Sequence, residues 1–127
     1  MDGKGTMKIP RSLTLAVLGV VATSSGGAAA RPCKTDPRVL GDCFRVHGRL
    51  GFYNGNPSFR IWRIGTDRIL GVQDDEAPIV PDNVATHLST HTEIFADFVV
   101  CPFTVDQPGW MRRVCIESAE HIVVRER

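Results

Sequence analysis

The feature that most constrains the fold is the stretch from Cys43 to Gln73, which reads as three consecutive β-strands. The first predicted strand, Cys43 to Tyr53, alternates apolar and polar side chains, as a strand with one buried and one wet face does. Its apolar face holds Phe44, Val46, Gly48, Leu50 and Phe52, and its polar face holds Arg45, His47 and Arg49. Turn residues separate it from two further predicted strands, Ser58–Ile64 and Arg68–Gln73, and the Asn54-Gly55 pair is a strong hairpin signal.

The rest of the chain predicts a short helix and then more strands. The helix is expected over Pro81–His91 and the fourth strand over Glu93–Phe103. A fifth strand from Met111 to about Ser118 and a sixth short strand over Ile122–Val124 complete the set. Three strands, a helix and two strands is the element order of an OB-type barrel. We therefore predict a mainly β fold, a small five- to six-stranded OB-like barrel with one short helix, and a small β-sandwich is the alternative.

The N-terminus has the three parts of a secretory signal peptide. Lys4, Lys8 and Arg11 are basic, Leu13–Ala22 is apolar, and Ala28-Ala29-Ala30 supplies the small residues of a cleavage site. A transmembrane helix is the alternative, but it needs about 20 apolar residues, and the apolar run stops at Ser24. Translation from Met7 instead of Met1 fits the same pattern. We expect a signal peptide over 1–30, an N-terminal arm over 31–42 and one β domain over 43–127.

The charge of the exported part disfavours two classes of partner. Residues 1–30 contain three of the 15 Lys and Arg residues and one of the 14 Asp and Glu residues, so the remainder carries a formal charge of −1. A chain without basic excess lacks the electrostatic footprint of a nucleic-acid-binding protein or of one that binds an anionic membrane surface. With the signal peptide removed, no integral membrane span is expected, and a monomer is predicted.

Four cysteines follow the predicted cleavage site, at positions 33, 43, 101 and 115. An even number in a small exported domain favours two disulfides. A four-cysteine zinc site is disfavoured because the spacing contains no CxxC pair. In the OB topology the start of strand 1, the end of strand 4 and the start of strand 5 meet at one end, where the arm also enters. Both local pairing (Cys33–Cys43 with Cys101–Cys115) and crossed pairing (Cys43–Cys101 with Cys33–Cys115) satisfy this arrangement.

A tryptophan among arginines is the strongest candidate binding site. OB barrels bind ligands on the face around strands 2 and 3, and Trp62 lies in the second predicted strand. If the indole is exposed, it forms a basic aromatic face with its neighbours; otherwise it packs against the arm or the helix. The predicted binding residues are Trp62, Arg60, Arg63, Arg45 and Arg49.

The remaining candidate sites are weaker. His87 and His91 are four residues apart, a spacing that places two imidazoles on one helix face and occurs in zinc and copper sites. The run Asp74–Glu76 is acidic, yet it lacks the alternating ligands and central glycine of a calcium loop. There is no GxSxG motif, and paired cysteines are not nucleophiles. No catalytic residue and no cofactor are predicted.

The pattern GRL…RIWRIGTDRILGV…DFVVCP…VC, over roughly residues 43–117, resembles small exported bacterial proteins whose functions are not established. The resemblance implies export and a compact β fold, and it carries over no catalytic or binding residue.

These observations together predict a periplasmic or secreted, non-catalytic β module that binds a protein or glycan partner in the cell envelope. An enzyme is the less favoured class. Two alternatives stay open: a metal-binding protein or metal-dependent enzyme that uses His87 and His91, and a purely structural envelope protein without a ligand.

Overall fold

A computed structural model describes residues 32–127, together with Ala16 and Gly19. The predicted signal peptide therefore lies almost entirely outside the described residues. The described part contains five strands and one very short helix. In chain order they are β1 (Phe44–Phe52), β2 (Phe59–Arg63), β3 (Ile69–Val72), α1 (Asp82–Ala85), β4 (Thr92–Pro102) and β5 (Arg112–Glu126).

The five strands form one sheet that closes on itself in the order β1-β2-β3-β5-β4, with β4 paired back onto β1. Four of the five strand pairs are antiparallel, and β3 pairs with β5 in parallel over three residues, Leu70 to Val72 opposite Arg112 to Val114. The mainly β prediction is confirmed, and strands 1 to 4 begin and end within one residue of their predicted bounds. A β-sandwich needs two sheets, so that alternative is wrong for the described residues.

The fifth strand differs from its prediction, because Ile122–Val124 continues β5 and does not form a sixth strand. Two β-bulges on β5 opposite β4 explain the difference: the register shifts between Val99 and Val100 and again between Phe95 and Asp97. At the second shift His121 adopts a φ of +56°. Each extra residue exchanges the inward and outward faces of a strand, so the alternation that marks a strand in the sequence is interrupted twice.

The predicted helix is also shorter in the structure. α1 contains only Asp82–Ala85, and no side chain caps its first turn. After it, the Thr92 hydroxyl donates to the His87 carbonyl oxygen at 2.7 Å, and the His91 backbone N–H donates to the Ser89 hydroxyl at 3.0 Å. Local bonds of this kind compete with helical hydrogen bonds. The chain therefore turns into β4 where a longer helix was predicted.

The core lies inside the closed sheet and follows from the alternation of its strands. Val46 and Leu50 of β1, Ile61 of β2 and Phe98 of β4 are each at most 2% exposed. α1 contributes Val84, which is fully buried. Arg45 and His47 of β1 are exposed, as the predicted polar face requires. The core is therefore built from the inward residues that the sequence pattern predicts.

The four cysteines form two disulfides at one end of the sheet, Cys33–Cys115 and Cys43–Cys101. Two disulfides were predicted, and the structure selects the crossed pairing. They pack with Ile79 into a second small apolar cluster beside the main core. The Cys33–Cys115 bond attaches the arm to β5, and the Cys43–Cys101 bond joins the start of β1 to the end of β4.

Removing either disulfide should reduce stability substantially. The bonds span 82 and 58 residues, and loops of that length correspond to about 4 kcal/mol of unfolded-state entropy, with measured effects typically about 2–4 kcal/mol. We expect Cys33→Ala with Cys115→Ala to lower the free energy of unfolding by about 2–4 kcal/mol in urea titrations. Peptide mapping of the unreduced protein is the control, and a Cys33–Cys43 peptide would contradict the crossed pairing.

Gly48 of β1 allows β2 to lie close to β1. A Cβ at this position would clash with Ile61 Cγ2 and lie 3.0 Å from the Trp62 carbonyl oxygen. We expect Gly48→Ala to lower the free energy of unfolding by about 1–3 kcal/mol, because the buried neighbours must shift. Gly51→Ala on the same strand is the matched control, since its Cβ meets nothing closer than 4.0 Å. Equal unfolding midpoints for the two variants would refute this account.

Candidate functional site

The β4–β5 loop, residues 103–111, presents the most exposed aromatic side chain of the described residues. The Trp110 backbone N–H donates to the Gln107 carbonyl oxygen at 3.1 Å, and Gly109 between them has a φ of +82°. Proline followed by a glycine with positive φ is the combination that a type II turn uses, so Pro108-Gly109 directs Trp110 outward. The side chain is 76% exposed.

The β1–β2 loop, residues 53–58, lies against the same region. Its ends are joined by a bond from the Tyr53 N–H to the Ser58 carbonyl oxygen at 2.7 Å, so the predicted Asn-Gly turn does connect β1 to β2. A Cβ on Gly71 of β3 would lie 2.5 Å from Pro57 Cγ and 2.9 Å from Met111 Sδ. The bare backbone at Gly71 therefore allows both loops to pack on β3.

Two depressions border Trp110. The first, which we call the loop groove, has a volume of about 600 Å³ and lies between the arm and the two loops. Its lining is mostly apolar, and Val105 and Leu40 on its rim are 65% and 49% exposed. The loop groove is lined by Leu40, Asn56, Pro57, Thr104, Val105, Gln107, Trp110, Met111 and Arg113.

The second, which we call the arginine depression, has a volume of about 380 Å³ and shares Gln107, Trp110 and Met111 with the loop groove. The Arg68 guanidinium donates to Asp106 at 2.7 Å, and this bond lowers the pKa of the Asp106 carboxyl. The depression is lined by Phe44, Arg63, Asp67, Arg68, Ile69, Leu70, Asp106, Gln107, Pro108, Gly109, Trp110, Met111 and Arg112.

The predicted binding residues do not converge on one site. Trp62 is half-buried: its indole N–H donates to the Thr66 carbonyl oxygen at 2.7 Å, and the Arg49 guanidinium carbon lies 4.9 Å from the centre of its rings. Arg60 donates to the Pro57 carbonyl oxygen and stacks on Tyr53. The functional groups of these residues are thus already engaged within the protein.

Arg45 and Arg63, the remaining two predicted binding residues, have different surroundings. Arg45 forms an ion pair with Glu120 at 3.2 Å on the outer face of the sheet. Arg63, by contrast, lines the arginine depression next to Trp110. Only one of the five predicted residues therefore borders the depressions, and Trp110 was missed. The signal that could have found it is the Pro-Gly turn immediately before an aromatic residue.

A cluster of titratable groups on the outer face joins β1, β4 and β5. The imidazoles of His47 and His121 each donate from Nδ1 to one oxygen of Asp97, at 2.8 and 3.0 Å. The bulge at His121 brings the second imidazole to this carboxylate. The pKa of Asp97 is lowered chiefly by the hydrogen bond from His47. The bond from His121 and the charges of His47 and Arg45 lower it further, while desolvation opposes the shift.

His87 and His91 lie in the turns between α1 and β4, outside any helix. The helix face on which the predicted metal site was based is therefore not formed. Within residues 32–127, the only group of three or more metal-ligating side chains close enough to share an ion is Cys33, Cys101 and Cys115, and all three belong to disulfides.

In the acidic run Asp74–Glu76, the Asp75 carboxylate accepts hydrogen bonds from the side chains of Arg38 and Gln73.

Comparison with known proteins gives no family assignment: no family model matches the chain, and no curated protein or solved structure is significantly similar to it. Among the described residues, no helix has the length and apolar character needed to cross a membrane.

Asp97 should make stability depend on pH in the acid range. A carboxyl whose folded pKa lies below its unfolded value of about 3.9 contributes stability above that value, and the contribution is lost as the pH falls through the folded pKa. We therefore expect Asp97→Asn to be less stable than the wild type at pH 6, and this difference to shrink as the pH falls below about 4, measured by urea unfolding. Asp67→Asn, which alters an exposed aspartate without a hydrogen bond in the described residues, is the control. A stability deficit of Asp97→Asn that persists unchanged at pH 2 would argue against this role.

Proposed function

We propose that the protein is an exported, non-catalytic OB-like β module that binds an oligosaccharide of the cell envelope in the loop groove. Several observations support the OB assignment: β4 pairs with both β1 and β5, and the only helix of the described residues lies between β3 and β4. OB barrels bind oligonucleotides and oligosaccharides with the face of strands 2 and 3 and with the β1–β2 and β4–β5 loops. The loop groove is bordered by these two loops.

The exposure of Trp110 is the observation that carries the proposal. A tryptophan that is 76% exposed leaves a large apolar ring surface in water, and such surface in a concave site is typical of ligand binding. A flat indole can stack on the C–H face of a sugar ring. The charge of −1 on residues 31–127 disfavours the nucleic acids that other OB barrels bind, because their affinity depends on neutralising many phosphates along the chain. An oligosaccharide that meets basic groups only locally does not need such a basic excess.

Export is supported by the pattern of residues 1–30 and by the two disulfides, which persist in oxidising compartments. The location that fits is the periplasm or the extracellular space. No group in the described residues favours catalysis over binding, and the metal-binding hypothesis on His87 and His91 stays a prediction.

Binding to immobilised envelope polysaccharides tests the function. The oxidised wild-type protein should bind one or more of them, and Trp110→Ala should bind at least tenfold more weakly, because truncating a tryptophan at the centre of a binding site typically costs about 2 kcal/mol or more. Val123→Ala is the control, since Val123 is 52% exposed and lines neither depression. Binding to none of the polysaccharides, or binding that is lost equally in both variants, would refute glycan binding.

A further inference from the structure

Two guanidinium groups border Trp110 without a direct hydrogen bond or salt bridge, although the charge of Arg63 acts on the Asp106 carboxyl from a distance. Arg113 lines the loop groove and Arg63 lines the arginine depression. Neither side chain forms a hydrogen bond or ion pair with any residue that the structure describes. Other arginines of the sheet are engaged: Arg45 with Glu120, and Arg68 with Asp106. Unpaired guanidinium groups that flank an exposed aromatic ring are suited to an anionic ligand, because a guanidinium presents paired donors to a carboxylate.

Two side-chain amides of the loop groove have no hydrogen-bond partner among the described residues. The side-chain amides of Asn56 and Gln107 border it, and neither forms a hydrogen bond within residues 32–127. No carboxylate lines this groove, so Arg113 is its only charged group. Amides can donate to and accept from hydroxyl groups, which a carbohydrate offers in number. The groove thus combines an apolar ring, two amides and one uncompensated positive charge.

The arginine depression on the other side of Trp110 also has an excess of positive charge. It is lined by three arginines, Arg63, Arg68 and Arg112, and by two aspartates, Asp67 and Asp106. Asp106 is neutralised by Arg68 at 2.7 Å. Arg112 is held by the Thr104 carbonyl oxygen and by the ring of Phe44. Arg63 acts on Asp106 only through its charge, so its guanidinium donors stay free for a ligand.

We propose that the ligand is an acidic oligosaccharide, a chain of uronic acid residues that crosses Trp110 and places carboxylates against Arg113 and Arg63. This inference rests on the proposed function and specifies its ligand class. The indole stacks on one sugar ring, and the amides of Asn56 and Gln107 bind hydroxyl groups. Because Trp110 lines both depressions, a ligand of several residues reaches both arginines without a change in the fold.

Titration calorimetry at low ionic strength with matched ligands tests the proposal. The probes are oligogalacturonate and oligomannuronate and the methyl ester of each, which keeps the sugar and removes the charge. We expect the oxidised protein to bind at least one acid tenfold or more tightly than its ester. Arg113→Gln should weaken binding of the acid about tenfold or more, as loss of charge-assisted bonds does, and leave binding of the ester unchanged. Arg63→Gln should have the same selective effect.

Arg125→Gln is the control variant, because Arg125 lies at the end of β5 and lines neither depression. Raising the salt concentration should weaken binding of the acid more than binding of the ester. Equal affinity for acid and ester, with both lost in Trp110→Ala, would overturn this inference and leave glycan binding standing. Failure to bind either uronate series would also overturn it. Binding to neutral members of the immobilised envelope polysaccharides would in that case still support the proposed function, and binding to none of them would refute it.

Discussion

The short parallel ladder between β3 and β5 is the interaction on which the closed sheet depends. It contains three residue pairs, and parallel pairing is slightly weaker per residue than antiparallel pairing. Two features reinforce this ladder. Val72 and Val114 are fully buried within it, and Cys115, the next residue of β5, is bonded to Cys33 of the arm. The Gln73 N–H extends it by donating to the Val114 carbonyl oxygen at 2.7 Å.

The same ladder holds the candidate site in place. Gly71 is its central residue on β3, and the Pro57 and Met111 side chains pack against its bare backbone. The β1–β2 and β4–β5 loops are therefore positioned by the contact that closes the sheet. Because the loop groove lies between these loops, its shape is set by the closure of the sheet, and the loops need no helix or strand of their own to form it.

The sequence predicts the strands well because a buried inner face imposes an alternation of period two, and β1 shows it without interruption from Phe44 to Leu50. The prediction fails where that alternation is reset. Residues added at the two bulges of β5 change its inward face, and no residue type in that stretch marks a bulge. The helix was overestimated because its start signal at Pro81 and the spacing of Val84 and Leu88 say nothing about the local bonds that end α1. The site was harder to predict. The Pro108-Gly109 turn marks Trp110 as a loop residue, but the exposure of its side chain is determined only by how the loops pack.

The register of β4 and β5 has a consequence for how the disulfides form. Cys101 lies directly opposite Cys115 across the two strands, yet each is bonded to a cysteine from another segment. A β4–β5 hairpin that forms before the arm and β1 have docked presents the wrong pair of thiols to an oxidant. Formation of the two native bonds therefore needs either the first strand and the arm in place before oxidation, or rearrangement of a Cys101–Cys115 bond by thiol–disulfide exchange. The order of assembly thus matters for this chain as well as the stability of the final sheet.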